Sequence, residues 1–174
     1  GEQRNLVTLD EQALIECYSL NDTTEVTIAG WTTDATRYIK IYTHSTARHN
    51  GVWDGTKYNL RTSGTSDSLR ILQSNIRIEG LQISQEGVNV YGGCIDIQGA
   101  YTNFHFSKNI ARSTRIAGTS IGIGSLNGTC SNVYVYNNIV YGFKGSFSAG
   151  IWVSSVTDGV FVWNNTVYDC QHGI

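Results

Sequence analysis

From residue 75 onward, apolar and polar residues alternate in short bursts broken by asparagine- and glycine-containing bends. Four segments share the pattern: "NIRIEGLQIS" (75–84), "NFHFSKNIAR" (103–112), "NVYVYNNIVY" (132–141) and "GVFVWNNTVY" (159–168). Each reads as a strand, a bend and a second short strand, because alternation sends successive side chains to opposite faces. Val, Ile, Tyr, Phe and Thr dominate these segments, as strands prefer. No stretch sustains an apolar period of about 3.6 residues, so almost no helix is expected. The segments start 28, 29 and 27 residues apart. A constant period in this range signals coils stacked on one another.

The alternation sorts residues into columns. Ile76, Phe104, Val133 and Val160 are expected to point inward, as are Ile78, Phe106, Val135 and Val162. After the bend, Ile83, Ala111, Val140 and Val167 form a third inward column. A further strand family, "CIDI" (94–97), "SIGIG" (120–124) and "GIWV" (150–153), supplies Ile95, Ile121 and Ile151, and "HGI" (172–174) begins its next member. A buried bend leaves backbone groups that must be satisfied. Asparagine tolerates the left-handed conformation, and its amide both donates and accepts. Asn109, Asn138 and Asn165 are therefore expected to stack as a ladder, with Asn137 and Asn164 beside them. The first segment carries Gly80-Leu81 instead, so the ladder starts one coil late.

"GIWVSSVTDGVFVWNNTVYDCQHGI" (150–174) resembles the repeat of right-handed parallel β-helix proteins of the pectin-lyase-like fold. The resemblance covers about residues 75–174. The N-terminal third, with "LIECY", "VTIAGWTTD" and "YIKIYT", is similar to the opening coils of uncharacterised bacterial and metagenomic members. The expected fold is all-β: one parallel β-helix domain over 1–174, with coils of two or three strands and a polar loop insertion at 43–58. With no methionine and an end inside a repeat, the sequence reads as a fragment of a longer chain, truncated at both ends.

Composition adds limits. No apolar run approaches the roughly 20 residues of a membrane helix. The formal charge of −2 gives no general attraction to nucleic acid or anionic lipid. Cys17, Cys94, Cys130 and Cys170 show no CxxC spacing, so no zinc site is expected, and buried free thiols are favoured over three formal disulfide connectivities.

The resemblance implies polysaccharide lyases and hydrolases, and their motifs are missing. The calcium-dependent lyases gather aspartates on one outer sheet. Here Asp96 is the lone carboxylate of its strand family, flanked in its column by Gly122 and Trp152, so no metal and no cofactor is expected. The paired aspartates, "GHG" and "RIK" of polygalacturonases do not occur, and His172 in "QHGI" reads as a turn residue. The insertion holds His44, Arg48, His49, Trp53, Asp54 and Lys57, at a spacing that matches no metal site. It is expected to shield the first coils.

The outward positions carry more information. Arg77, His105, Tyr134 and Phe161 form one column and Glu79, Ser107, Tyr136 and Trp163 the next, grading from a charged end to an aromatic one. Aromatic rings on a rigid sheet suit the apolar faces of sugars. Tyr134, Tyr136, Phe161 and Trp163 are the candidate binding face, with Arg77, Glu79, His105 and Asp96 as weaker candidates. The expected role is an extracellular or surface segment contacting polysaccharide or a protein. The alternatives are a carbohydrate-active enzyme and a structural piece of a fibre, adhesin or phage tail.

Overall fold

The computed structural model describes residues 4–18, 21–87, 91–154 and 156–174. A single-turn helix α1 (Leu6–Leu9) comes first, capped by the Asn5 side chain on Thr8 N, with Leu6 sunk into the core. The chain then winds through five coils of three strands. The first holds β1 (Ala13–Cys17), β2 (Asn21–Asp22) and β3 (Val26–Ala29), and the second β4 (Ile39–Thr43), β5 (Asn59–Thr62) and β6 (Leu69–Leu72). The third holds β7 (Ile76–Glu79), β8 (Gln82–Gln85) and β9 (Tyr91–Ile97), and the fourth β10 (Ala100–Ser107), β11 (Ile110–Ser113) and β12 (Thr119–Ser125). The fifth holds β13 (Thr129–Tyr136), β14 (Ile139–Tyr141) and β15 (Ala149–Val153), and β16 (Val156–Trp163) and β17 (Thr166–Tyr168) begin a sixth.

Each strand pairs in parallel with its counterparts one coil away. Three sheets result: A (β1-β4-β7-β10-β13-β16), B (β2-β5-β8-β11-β14-β17) and C (β3-β6-β9-β12-β15). The molecule is a parallel β-solenoid with its core along the axis, and α1 is the only helix among the described residues.

The register follows the alternation. In sheet A, Ile76, Phe104, Val133 and Val160 are direct neighbours, as are Ile78, Phe106, Val135 and Val162. Ile39 and Ile41 extend both columns into the second coil, and Ala13 and Ile15 into the first. In sheet B, Leu60 joins the column of Ile83, Ala111, Val140 and Val167. These residues are sealed from solvent through the middle coils, and Val160, Val162 and Val167 are partly open in the last.

Sheet C corrects the sequence expectation. Ile95 pairs with Ile123, and Ile123 with Ile151, whereas Ile121 lies beside Gly93 and Ala149. The physical reason is that "SIGIG" offers two isoleucines of the same parity, and alternation fixes parity without choosing between them. Asp96 therefore neighbours Gly124 rather than Gly122, with Trp152 next along and Arg70 on its other side. Gly124 sits at φ 147, and a Cβ there would strike the Trp152 backbone, so glycine is required at that point.

The corner between sheets A and B divides two tasks between two residues. Lys108, Asn137 and Asn164 take the left-handed conformation, and so does Gly80 in the third coil. A side chain on Gly80 would meet the Arg48 guanidinium, so glycine leaves that group in place beside Glu79. The following residues carry the ladder. Asn109 Nδ2 donates to Asn138 Oδ1 (3.0 Å) and Asn138 Nδ2 to Asn165 Oδ1 (2.9 Å). The same oxygens accept the Asn109 and Asn138 backbone N–H groups, and Asn109 Oδ1 accepts that of Leu81, where the ladder starts. A second left-handed corner, at Asn75, Asn103, Asn132 and Gly159, opens the strands of sheet A.

Asn138 also donates to the carbonyls of Phe106 and Tyr136, so its amide serves three coils. Replacing Asn138 with Ala strands buried backbone groups and is expected to destabilise by about 1–3 kcal/mol. Chemical denaturation measures this, and a change within experimental error would remove the ladder's stabilising role.

The insertion packs against sheet B. Asp54 N donates to Gln82 Oε1 (2.7 Å), the Gln82 amide donates back to the Asp54 and Tyr58 carbonyls, and the Arg112 guanidinium lies 3.6 Å from the Trp53 ring centre. His44 stacks on Tyr18 and His49 bonds Lys108 O, so the two histidines do separate work. Among the described residues no three His, Cys, Asp or Glu side chains are grouped to hold a metal ion. All four cysteines are free thiols, with Cys94 and Cys130 buried. Cys170 lies just beyond β17 and is partly buried.

Candidate functional site

The outer face of sheet A is set by the register of its strands. One column runs Lys40, Arg77, His105, Tyr134, Phe161, and the next runs Tyr42, Glu79, Ser107, Tyr136, Trp163. Parallel in-register strands bring like side chains into contact at about the 4.8 Å strand spacing. His105 and Tyr134 stack with centres 4.5 Å apart, Tyr134 and Phe161 at 4.8 Å, and Tyr136 and Trp163 at 4.5 Å, all within 10° of parallel. Tyr141 and Tyr168 repeat the arrangement on sheet B.

This geometry changes what the aromatic face offers. The rings turn their flat sides to one another along the axis and present edges to solvent. A free flat side remains only where a column is interrupted or reaches the last coil. Phe161 and Trp163 are each about half exposed, at 46% and 47%. Tyr136 is the internal exception: Trp163 covers one side, and its neighbour on the other is the short Ser107.

At Ser107 the column drops to a depression of about 110 Å³, bounded by Lys40, Arg77, Glu79, His105 and Tyr136. Glu79 pairs with Lys40 (2.8 Å), Lys108 (3.0 Å) and Arg48 (3.4 Å). Burial works to raise the Glu79 carboxyl, but its bonds to Lys40 and Lys108 outweigh this and hold it at about 2. Arg77 lies over the Tyr38 ring, 3.6 Å from its centre. Burial, reinforced by Arg77, pushes the His105 imidazole below its ordinary value. Arg77, Glu79 and His105 thus share one site, and Asp96 lies on another sheet. The cations Lys40, Arg48 and Lys108 joined this cluster without having been read as site residues. "IKIYT" (39–43) carries a usable signal, since its alternation continues both outward columns.

Asp96 belongs to a second arrangement, on sheet C. It is not a lone carboxylate: Gln98 Nε2 bridges it to Asp67, at 3.0 Å and 2.8 Å. Burial and the facing Asp67 carboxylate push Asp96 well above the usual carboxylate range. Asp96 Oδ1 accepts from Leu126 N, Asp67 Oδ1 accepts from Gly93 N, and Asp67 Oδ2 accepts from Arg70 Nε. Every carboxylate oxygen is engaged by a protein donor, and both residues are buried. The pair ties together three successive coils. His172 pairs through its backbone with Ala149, extending sheet C.

Comparison with protein-family models, with curated proteins and with solved structures finds no match for this chain.

Proposed function

We propose that this chain is a surface or extracellular segment of a pectin-lyase-like, right-handed parallel β-helix that contacts glycans through the outer face of sheet A. The reading rests on one observation: two outward columns place aromatic rings and a cluster of cations on the same parallel sheet. Rigid rings supply contact area at little entropic cost, and fixed hydrogen-bonding groups beside them suit sugar hydroxyls. No catalytic residue is assigned.

Trp163 is the largest ring of the face and is half exposed. A soluble glycan that binds there is expected to quench tryptophan fluorescence, and Trp163→Ala is expected to weaken binding at least tenfold while far-UV circular dichroism stays unchanged. Affinity is expected to be weak, since an open face buries less of its ligand than a concave pocket does. Equal binding by Trp163→Ala and wild type would overturn the assignment of this end of the face. An absence of binding across a broad polysaccharide array would overturn the glycan reading.

A further inference from the structure

Ser107 interrupts a column that otherwise continues in rings and long side chains: Tyr42, Glu79, Ser107, Tyr136, Trp163. Strands two coils apart are separated by about 9.6 Å. Between Glu79 and Tyr136 the column itself supplies only a side chain two heavy atoms long, and Ser107 is buried at the floor of the depression. A flat ring placed there would meet the uncovered side of Tyr136, as Trp163 meets its other side at 4.5 Å. The vacancy is one ring thick.

Charge selects the kind of ring. Lys40, Arg48 and Lys108 pair with Glu79, and Arg77 lines the same depression, so four cations stand about this one carboxylate. Of the four, Lys40 and Arg77 line the depression itself, and the Arg77 guanidinium lies on Tyr38 and makes no ion pair among the described residues, so an incoming carboxylate meets these two. His105 lines the same depression as a hydrogen-bonding group beside it.

We propose that the vacant layer above Ser107 is a subsite for one anionic sugar ring, stacked on Tyr136 with its carboxylate or sulfate directed to Lys40 and Arg77. This rests on the reading of sheet A as a glycan-contacting face and adds the class of glycan and the place of one residue within it.

The decisive variant fills the layer. Ser107→Tyr continues the ring column beneath Tyr136, so it is expected to fold with an unchanged circular dichroism spectrum. Binding is measured by titration calorimetry with tetragalacturonate, a heparin tetrasaccharide and cellotetraose, which separate carboxylate, sulfate and neutral sugars. Wild type is expected to bind one or both charged probes at least tenfold more tightly than cellotetraose, with affinity falling as salt rises. Ser107→Tyr is expected to lose at least tenfold for that probe, and the double variant Lys40→Gln, Arg77→Gln to lose as much if Ser107→Tyr fails to fold. Undiminished binding in the filled or the uncharged variant, alongside loss in Trp163→Ala, would overturn the subsite and leave the wider face standing. Equal binding of cellotetraose would overturn the anionic class, and no binding of any probe by wild type would overturn both readings.

Discussion

Replacing Val135 with Asp is expected to abolish cooperative folding, whereas Tyr134→Asp, one residue earlier, is expected to fold. Val135 is fully buried between Phe106 and Val162, with no polar group of its own column to receive a charge. An unpaired buried carboxylate costs several kcal/mol, against a total stability of about 5–15 kcal/mol for a domain. Tyr134 sits on the opposite side of the same strand, and its loss removes only a stack between His105 and Phe161. Soluble expression, far-UV circular dichroism and thermal unfolding measure the contrast. Wild-type-like unfolding of Val135→Asp would mean that the inward and outward faces of sheet A have been exchanged.

The second large effect concerns pH. Asp96 titrates above its ordinary range because it is buried and faces Asp67. A group whose folded value is raised contributes stability that is complete below the unfolded value, about 4, and is lost as pH rises toward neutrality. The other charges packed around it do not cancel this: Arg70 is committed to Asp67, and Gln98 and Leu126 N are neutral donors. Asp96→Asn keeps a donor toward Asp67 and removes the second charge. Near pH 4 its melting temperature is expected to match wild type, and at pH 8 to exceed it by about 4 °C or more. The difference between the two curves is the readout, because Glu79 and Glu86, both held low by their ion pairs, lower the stability of both proteins equally on acidification. Parallel curves across pH 4–8 would rule out a raised Asp96 in the folded protein.

What the sequence disclosed follows from the physics of each element. Period-two alternation with a constant spacing specifies both the faces and the order of stacking, so from residue 75 onward the columns of sheets A and B and the asparagine ladder are legible residue by residue, whereas Ile15, Ile41 and Leu60 lie in coils without that spacing and join the columns only in the fold. Sheet C is not legible, because "SIGIG" satisfies the alternation in two registers and the choice is made by Gly124, whose backbone must pass against Trp152. The Asp67–Asp96 pair was hidden for another reason. Asp67 lies in the turn before β6, outside any alternating stretch, and meets Asp96 only through the coiling of the chain. The aromatic residues could be placed in columns from the sequence, yet their mutual stacking, which turns edges outward, depends on side-chain torsions that alternation does not encode. The same limit concealed the meaning of Ser107. As a letter it is one more polar residue on an outward face, and as a member of a column it is the place where the column stops.

A column of identical layers behaves like a one-dimensional crystal, and Ser107 is its point defect. Such a defect can be moved without disturbing the lattice that contains it. Exchanging the residues of neighbouring layers, with a ring at 107 and serine at 136, would carry the opening about 4.8 Å along the axis while the core columns stayed as they are. The spacing between successive openings would then be an integral number of layers, a ruler that a chain of sugar units either matches or misses. If sheet A contacts glycans as proposed, recognition becomes a question of where vacancies are placed, separable from the question of whether the chain folds.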